Sequence, residues 1–315
     1  MVAAAEGKVA FIFPGQASQR AGMAVELLSG HPTARDMFRQ AGEILGLDLA
    51  GLCTTGDDAL LTRTDIAQPA LLTTCLAWLT LIREHGIRPQ LVAGHSLGEF
   101  SAWVAAGVLE FAEAVRLVRR RGELMEEASR RRPGGMLAVL GLTDAQVKEM
   151  CERAGSAGVV AAVNFNCPGQ VVVSGEASAL EAVAGAVKAA RGKAMALRVS
   201  GAFHSPLMED AAHAFAGLVE SLVLRDPTVP VVANATADLV VRAEDARKVM
   251  TSQMTNPVLW TDSVRRMISE GVRTFVEVGP GNVLTKLVER ISAEARAIPV
   301  GTLQQLRTLV EEVRP

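Results

Sequence analysis

The chain contains no tyrosine, and only 4% of its 315 residues are aromatic. That argues against a tyrosine general acid and against a broad base-stacking platform. A large charge of one sign is also missing. The 32 basic and 34 acidic residues leave a net charge of −2, which argues against a general nucleic-acid binder. Cysteine is scarce: Cys53, Cys75, Cys151 and Cys167 form no C-x-x-C pair. With only five histidines they give no zinc spacing, so no metal site is expected. Four reduced thiols fit a cytoplasmic protein. No apolar run approaches the length expected of a membrane span. The N-terminal stretch MVAAAEGKVAFIF has no basic n-region and is interrupted by Glu6 and Lys8, so it reads as a poor signal peptide.

Hydrophobic residues are plentiful at 49%, enough to build a sizeable core. Residues 8–13 (KVAFIF) predict a buried strand that ends at Pro14-Gly15. Helical patterns follow near 22–29, 33–45 and 68–85. Residues 90–93 (QLVA) form another short strand pattern, followed by a helix from Glu99 and a long helix over 111–129. Alternating strands and helices predict a parallel sheet covered by helices. The run Arg130–Gly135 is charged, then Pro/Gly-rich, and reads as a linker. After it the order becomes β-α-β-β-α-β through about residue 199, the pattern of a ferredoxin-like unit. The expected fold is therefore α/β: a hydrolase-like parallel-sheet domain (1–129 and 202–315) with an inserted ferredoxin-like subdomain (130–201).

Three features carry chemistry. Gly94-His95-Ser96-Leu97-Gly98 matches G-x-S-x-G and lies between a strand and a helix, the setting of a nucleophile elbow. Ser96 is the expected nucleophile, and the N–H of Leu97 at the helix start can face a developing oxyanion. A serine hydroxyl needs a base. His31 and His85 sit in apparent loops, His213 in a helix, and His95 points away in a regular elbow. His204, at the return from the insert, remains. Arg121 is the third feature. Its neighbours at helical spacing are Leu117, Val118, Leu124 and Met125. An arginine on a buried stripe must find an anion, either a structural carboxylate or a substrate carboxylate gripped by two N–H groups.

Phe13-Pro14-Gly15-Gln16-Ala17-Ser18-Gln19, Gly94–Glu99, Arg121-Gly122, Asn164–Gln170, Phe203-His204-Ser205 and Glu277–Gly281 occur in this order. From about residue 8 to 295 the chain resembles the malonyl-CoA:acyl carrier protein transacylases. The resemblance implies that Ser96 is acylated, that His204 is its base, and that the Gln253 backbone carbonyl orients the histidine. It implies Gln16 and Leu97 amides as the oxyanion hole. Arg121, His95, Phe203 and Asn166 would contact substrate, Arg121 by taking the malonyl carboxylate. Phe203 stands where related polyketide acyltransferase domains place Phe with malonyl choice and Ser with methylmalonyl. Position 17 is usually Gly in the family and is Ala here. A positive φ at Ala17 would cost about 1–2 kcal/mol.

The implied reaction moves malonyl from malonyl-CoA, a thioester substrate, to the phosphopantetheine thiol of an acyl carrier protein in fatty acid biosynthesis. No permanently bound cofactor, nucleic acid or membrane enters, and a monomer is expected. Open alternatives are a discrete acyltransferase that loads polyketide-synthase carriers in trans, a serine thioesterase or esterase, and an inactive docking module. A carrier protein is acidic, so Arg119, Arg120 and Arg130–Arg132 are candidates for a basic rim.

Overall fold

The computed structural model describes residues 7–313. Residues 1–6, where the signal-peptide reading falls, and 314–315 lie outside the described residues. Among the described residues, ten strands form two sheets. They are β1 (Lys8–Phe13), β2 (Leu91–Gly94), β3 (Gly135–Leu140), β4 (Val160–Cys167), β5 (Gln170–Gly175), β6 (Lys193–Ala196), β7 (Val231–Val232), β8 (Leu239–Val240), β9 (Val272–Val278) and β10 (Arg296–Val300).

The large sheet has the order β10-β9-β1-β2-β7-β8. All its pairings are parallel except β7 with β8. A parallel sheet is covered on both faces, so its central strand β1 is apolar and buried at all five positions after Lys8. In β1, Phe11 and Phe13 face one apolar core, and Ala10 and Ile12 face another. The first core takes helices Thr64–Glu84, Gly98–Ala105 and Phe111–Arg131. The second takes Trp260, Val264, Leu284 and Val288 from two later helices. Helix Thr64–Glu84 is long and apolar enough to cross a membrane, contrary to the expectation that no run has that length. It lies in the core instead, with 94% of its most apolar window buried.

The small sheet is antiparallel with the order β4-β5-β3-β6. Helices Asp144–Ala154 and Ala177–Ala189 pack on it through Val147, Cys151, Val183 and Val187. This is the ferredoxin-like arrangement that the element order implied. Thr143 opens the first of these helices with a capping box to Gln146. Main chain ties strand β4 of the small sheet to the segment that precedes helix Trp260–Ser269: Phe165 N–H donates to Val258 O at 2.9 Å, and Val258 N–H to Val163 O at 2.7 Å.

Several boundaries differ from the sequence pattern. Arg130 and Arg131 continue the long helix instead of forming a linker. Asn166 and Cys167 belong to β4, which leaves the turn to Pro168 and Gly169. After the insert, the helical pattern over 205–224 resolves into a short 3-10 turn, Pro206–Met208, followed by helix Glu209–Glu220. Edge strand β10 and helix Leu303–Glu312 extend the fold beyond the last recognised motif.

Candidate active site

Three neighbouring strands of the large sheet end at one place. β1 leads into Gln16, β2 into Ser96 and β7 into Asn234. The carboxyl ends of parallel strands are where open α/β sheets build their sites. The turn after β2 is very tight. A Cβ at Gly94 would lie 2.0 Å from the Gly98 carbonyl, and one at Gly98 would lie 2.0 Å from the Phe13 carbonyl oxygen. Both glycines of the motif are thus required by close backbone approach. Ser96 adopts φ +51°, a strained conformation for a residue with a side chain. Asn234 clamps both sides of this turn. Its Oδ1 accepts from Ser96 N–H at 2.7 Å, and its Nδ2 donates to Gly94 O at 2.6 Å.

Ser96 Oγ lies 2.7 Å from His204 Nε2. His204 also takes a positive φ, +62°. Its Nδ1 faces the carbonyl oxygens of Gln253 at 3.1 Å and Asn256 at 3.0 Å. Carbonyls only accept, so Nδ1 carries the proton and the Nε2 lone pair points at the serine. No carboxylate hydrogen-bonds this histidine among the described residues. Burial, reinforced by the nearby positive charge of Arg121, pushes the imidazole down to about 3. It is neutral at pH 7 and able to accept the serine proton.

Arg121 is 1% exposed. Gly122 beside it allows the close helix packing that brings Gln68 within reach, since a Cβ there would lie 2.6 Å from Asp65 Cα. Nη1 donates to Gln68 Oε1 at 2.9 Å, and Nη2 to Gln253 Oε1 at 2.8 Å. Nη2 is also 3.5 Å from Ser96 Oγ, and the cation sits 5.5 Å from the Phe100 ring centroid. Nε has no partner among the described residues. The guanidinium is therefore held by two neutral amide oxygens with no carboxylate bound directly. Burial lowers it to about 10, which leaves it charged at neutral pH.

These groups line a cavity of about 210 Å³ together with Gln16, Leu97, Met125 and Phe203. The backbone amides of Gln16 and Leu97 have no acceptor among the described residues. Both are free to meet an oxyanion. Ala17 has φ +81°, the left-handed backbone that the family's usual glycine would adopt without strain.

Of the residues singled out from sequence, Ser96, His204, Arg121, Gln16, Leu97, His95 and Phe203 all line this cavity. Gln253 reaches it through hydrogen bonds to Arg121 and His204. Asn166 does not line it. Its Oδ1 instead pairs with His95 Nε2 at 2.8 Å, while Asn164 of the same strand faces the cavity. Sequence reasoning missed Gln68, Glu99, Asn234 and Asn256. Asn234 carried a signal, as a polar residue directly after the apolar run 229–233. The expected basic rim also changes. Arg119 is tied to Asp65 and Glu123, and Arg120 to Glu123 and Glu127. Arg130–Arg132 are exposed and make no ion pair among the described residues.

Residues 10–312 match the family model described as an acyl transferase domain. The chain is 41% identical over 309 residues to the malonyl CoA-acyl carrier protein transacylase of Bacillus subtilis, covering 98% of each chain. It is 45% identical over 284 residues to the enzyme of that name from Salmonella typhimurium, covering 90% of this chain and 92% of the other. A solved structure of PlMCAT, a malonyl-transacylase in complex with its type II PKS acyl-carrier protein AntF, superposes with a TM-score of 0.94. It is 40% identical, and the match covers 96% of this chain and 99% of that one. The acyl carrier protein S-malonyltransferase of Vibrio cholerae gives a TM-score of 0.93 at 37% identity, with 96% and 99% covered. The chain belongs to the acyl transferase domain family, and the relatives it matches there are malonyl CoA-acyl carrier protein transacylases.

Proposed function

We propose that this chain transfers a malonyl group from malonyl-CoA to the phosphopantetheine thiol of an acyl carrier protein through a malonyl ester on Ser96. The observation that carries the reading is the pairing inside one cavity of a serine–histidine couple with a buried, carboxylate-free guanidinium 3.5 Å from the serine oxygen. A hydrolase of neutral esters has no use for that cation.

In the first half-reaction His204 Nε2 takes the Ser96 proton as Oγ attacks the thioester carbonyl. The Gln16 and Leu97 amides hold the resulting oxyanion. The C–S bond then breaks, and His204 gives its proton to the CoA sulfur. In the second half, the carrier thiol loses its proton to His204 and attacks the ester. The C–O bond breaks, and Ser96 recovers a proton from His204. Arg121 binds the free carboxylate of the acyl group throughout, while Phe203 and Met125 wall the cavity. The scheme needs no resident cofactor or metal. Every group it uses comes from one chain, which supports action as a monomer. The four free cysteines fit a reducing, cytoplasmic setting.

A second reading keeps the chemistry and changes the carrier. The likeness to PlMCAT, whose partner is a type II PKS carrier, favours a polyketide carrier as the alternative acceptor. Intact-mass measurement with a panel of acyl-CoAs tests the scheme. Wild type should gain a malonyl adduct, and Ser96→Ala should gain none. A wild type that takes up no adduct, or that only hydrolyses malonyl-CoA, overturns it. Rates with fatty-acid and polyketide carriers separate the two readings.

A further inference from the structure

Besides the main-chain carbonyl that faces His204, Gln253 has a side chain bonded at both its donor and its acceptor end. Nε2 donates to Ser96 O at 2.9 Å and to Glu99 Oε2 at 2.7 Å, and Oε1 accepts from Arg121 Nη2 at 2.8 Å. An amide has a donor end and an acceptor end, and a half-turn exchanges them. Arg121 only donates, so it requires the oxygen end. Glu99 is the group that enforces it. This residue is 1% exposed, in the first turn of the helix after the elbow. Its Oε1 accepts from Asn234 N–H at 2.8 Å, and its Oε2 from Gln253. Both carboxylate oxygens face donors, which is the pattern an ionised, acceptor-only group satisfies; burial raises this carboxyl to about 7, so the ionised form predominates above that pH.

We infer that Glu99 is a positioning residue for malonyl selection: it locks the Gln253 amide with its oxygen toward Arg121 and so presents the guanidinium to the substrate carboxylate. The inference rests on the reading that Arg121 binds that carboxylate.

The arrangement has an electrostatic logic. A carboxylate in direct contact with Arg121 would occupy the N–H groups that the substrate needs. With the Gln253 amide interposed, Glu99 supplies a buried countercharge while the free edge of Arg121 stays open. With glutamine at position 99 this order fails. The Asn234 N–H claims the new amide oxygen, and the new NH2 then faces Gln253 Nε2. Gln253 relieves that clash only by turning over, which sets its NH2 against Arg121 Nη2 and its oxygen against Ser96 O. Arg121 keeps Gln68 and loses its second anchor. The main-chain carbonyls that hold His204 are untouched.

The test is Glu99→Gln, assayed by acylation of Ser96 with malonyl-CoA and acetyl-CoA and by labelling with a neutral serine-reactive phosphonate. The malonyl-over-acetyl ratio of kcat/KM should fall about tenfold or more, the loss of one hydrogen bond to a charged group. The malonyl KM should carry most of that change, while acetyl transfer and phosphonate labelling stay within about threefold of wild type. An unchanged ratio, or a parallel loss with malonyl, acetyl and phosphonate, overturns the inference. If Glu99→Gln does not fold, Gln253→Met supplies the same readout, because it removes the amide and keeps the main-chain carbonyl. It should lower the ratio, and an unchanged ratio again counts against the inference. Arg121→Met separates the levels. If it loses malonyl preference while Glu99→Gln keeps it, only the Glu99 inference fails. If wild type itself shows no preference, the reading of Arg121 fails first.

Discussion

Replacing Arg121 by methionine keeps most of the side-chain volume and removes the charge. The structure predicts two separate effects. The first is on substrate choice. Arg121 is 1% exposed and has no direct carboxylate partner, so an incoming malonyl carboxylate would form its only close ion pair. Breaking a buried ion pair costs about 3–5 kcal/mol. At about 1.4 kcal/mol per decade, kcat/KM for malonyl-CoA should fall by roughly 10²- to several 10³-fold. Acetyl-CoA has no carboxylate to lose, so its kcat/KM should hold or rise. The second effect is on the base. The Arg121 charge is the second cause, after burial, that lowers His204. Without it the imidazolium is less disfavoured, and the histidine's value moves up. The neutral form is the active one, so the acid limb of the acetyl-transfer profile should move to higher pH. The same field would be relieved in wild type when a malonyl carboxylate pairs with Arg121, making His204 a stronger base once the correct substrate is seated. Stopped-flow release of CoA, measured with both thioesters across pH, reads both effects. A malonyl/acetyl ratio equal to wild type would refute the clamp. A shifted ratio with an unmoved acid limb would refute the electrostatic coupling to His204.

Two further outcomes concern stability. His204 is held near 3 against an ordinary 6.5, so the unfolded chain binds its proton first as pH falls. Stability should therefore be fully present above 6.5 and decline between 6.5 and 3, by about 1.4 kcal/mol per pH unit from this group. Glu99 acts in the opposite sense: burial raises it to about 7, so it is the folded state that binds the extra proton between 4.5 and 7. Urea titrations of wild type and His204→Gln across pH isolate the histidine, and equal slopes below 6.5 would rule out the assigned shift. Ala17→Gly should stabilise the protein by about 0.5–1 kcal/mol, because about 1–2 kcal/mol of left-handed strain is relieved against about 0.4–1 kcal/mol of added unfolded-chain entropy. A lowered urea midpoint at unchanged slope would show that Ala17 is not strained.

What the sequence reveals about this site follows from where each signal lies along the chain. β1 is legible because five consecutive apolar positions, too short for a helix and stopped by Pro14-Gly15, fit a strand buried on both faces. Arg121 is legible because a charge breaks the apolar stripe of its own helix, and that mismatch is local. The β10 segment is harder to read. It carries Pro299, which its edge position tolerates and which a strand pattern does not advertise. The acceptors that complete the site are silent for a different reason. Asn234 meets Ser96 across 138 residues, and Gln253 meets Glu99 across 154. A glutamate in a helix's first turn reads as an ordinary dipole partner. Only the fold shows that its two oxygens face the backbone N–H of Asn234 and the side chain of Gln253. Ala17 lies between these cases. The sequence marks it as a departure from the family's glycine but leaves its cost conditional on the backbone. The observed φ of +81° supplies the missing condition. The strain falls on the residue after Gln16, whose amide is half of the proposed oxyanion hole. The loop that must stay rigid for catalysis thus carries a conformational cost in this chain that a glycine there would avoid.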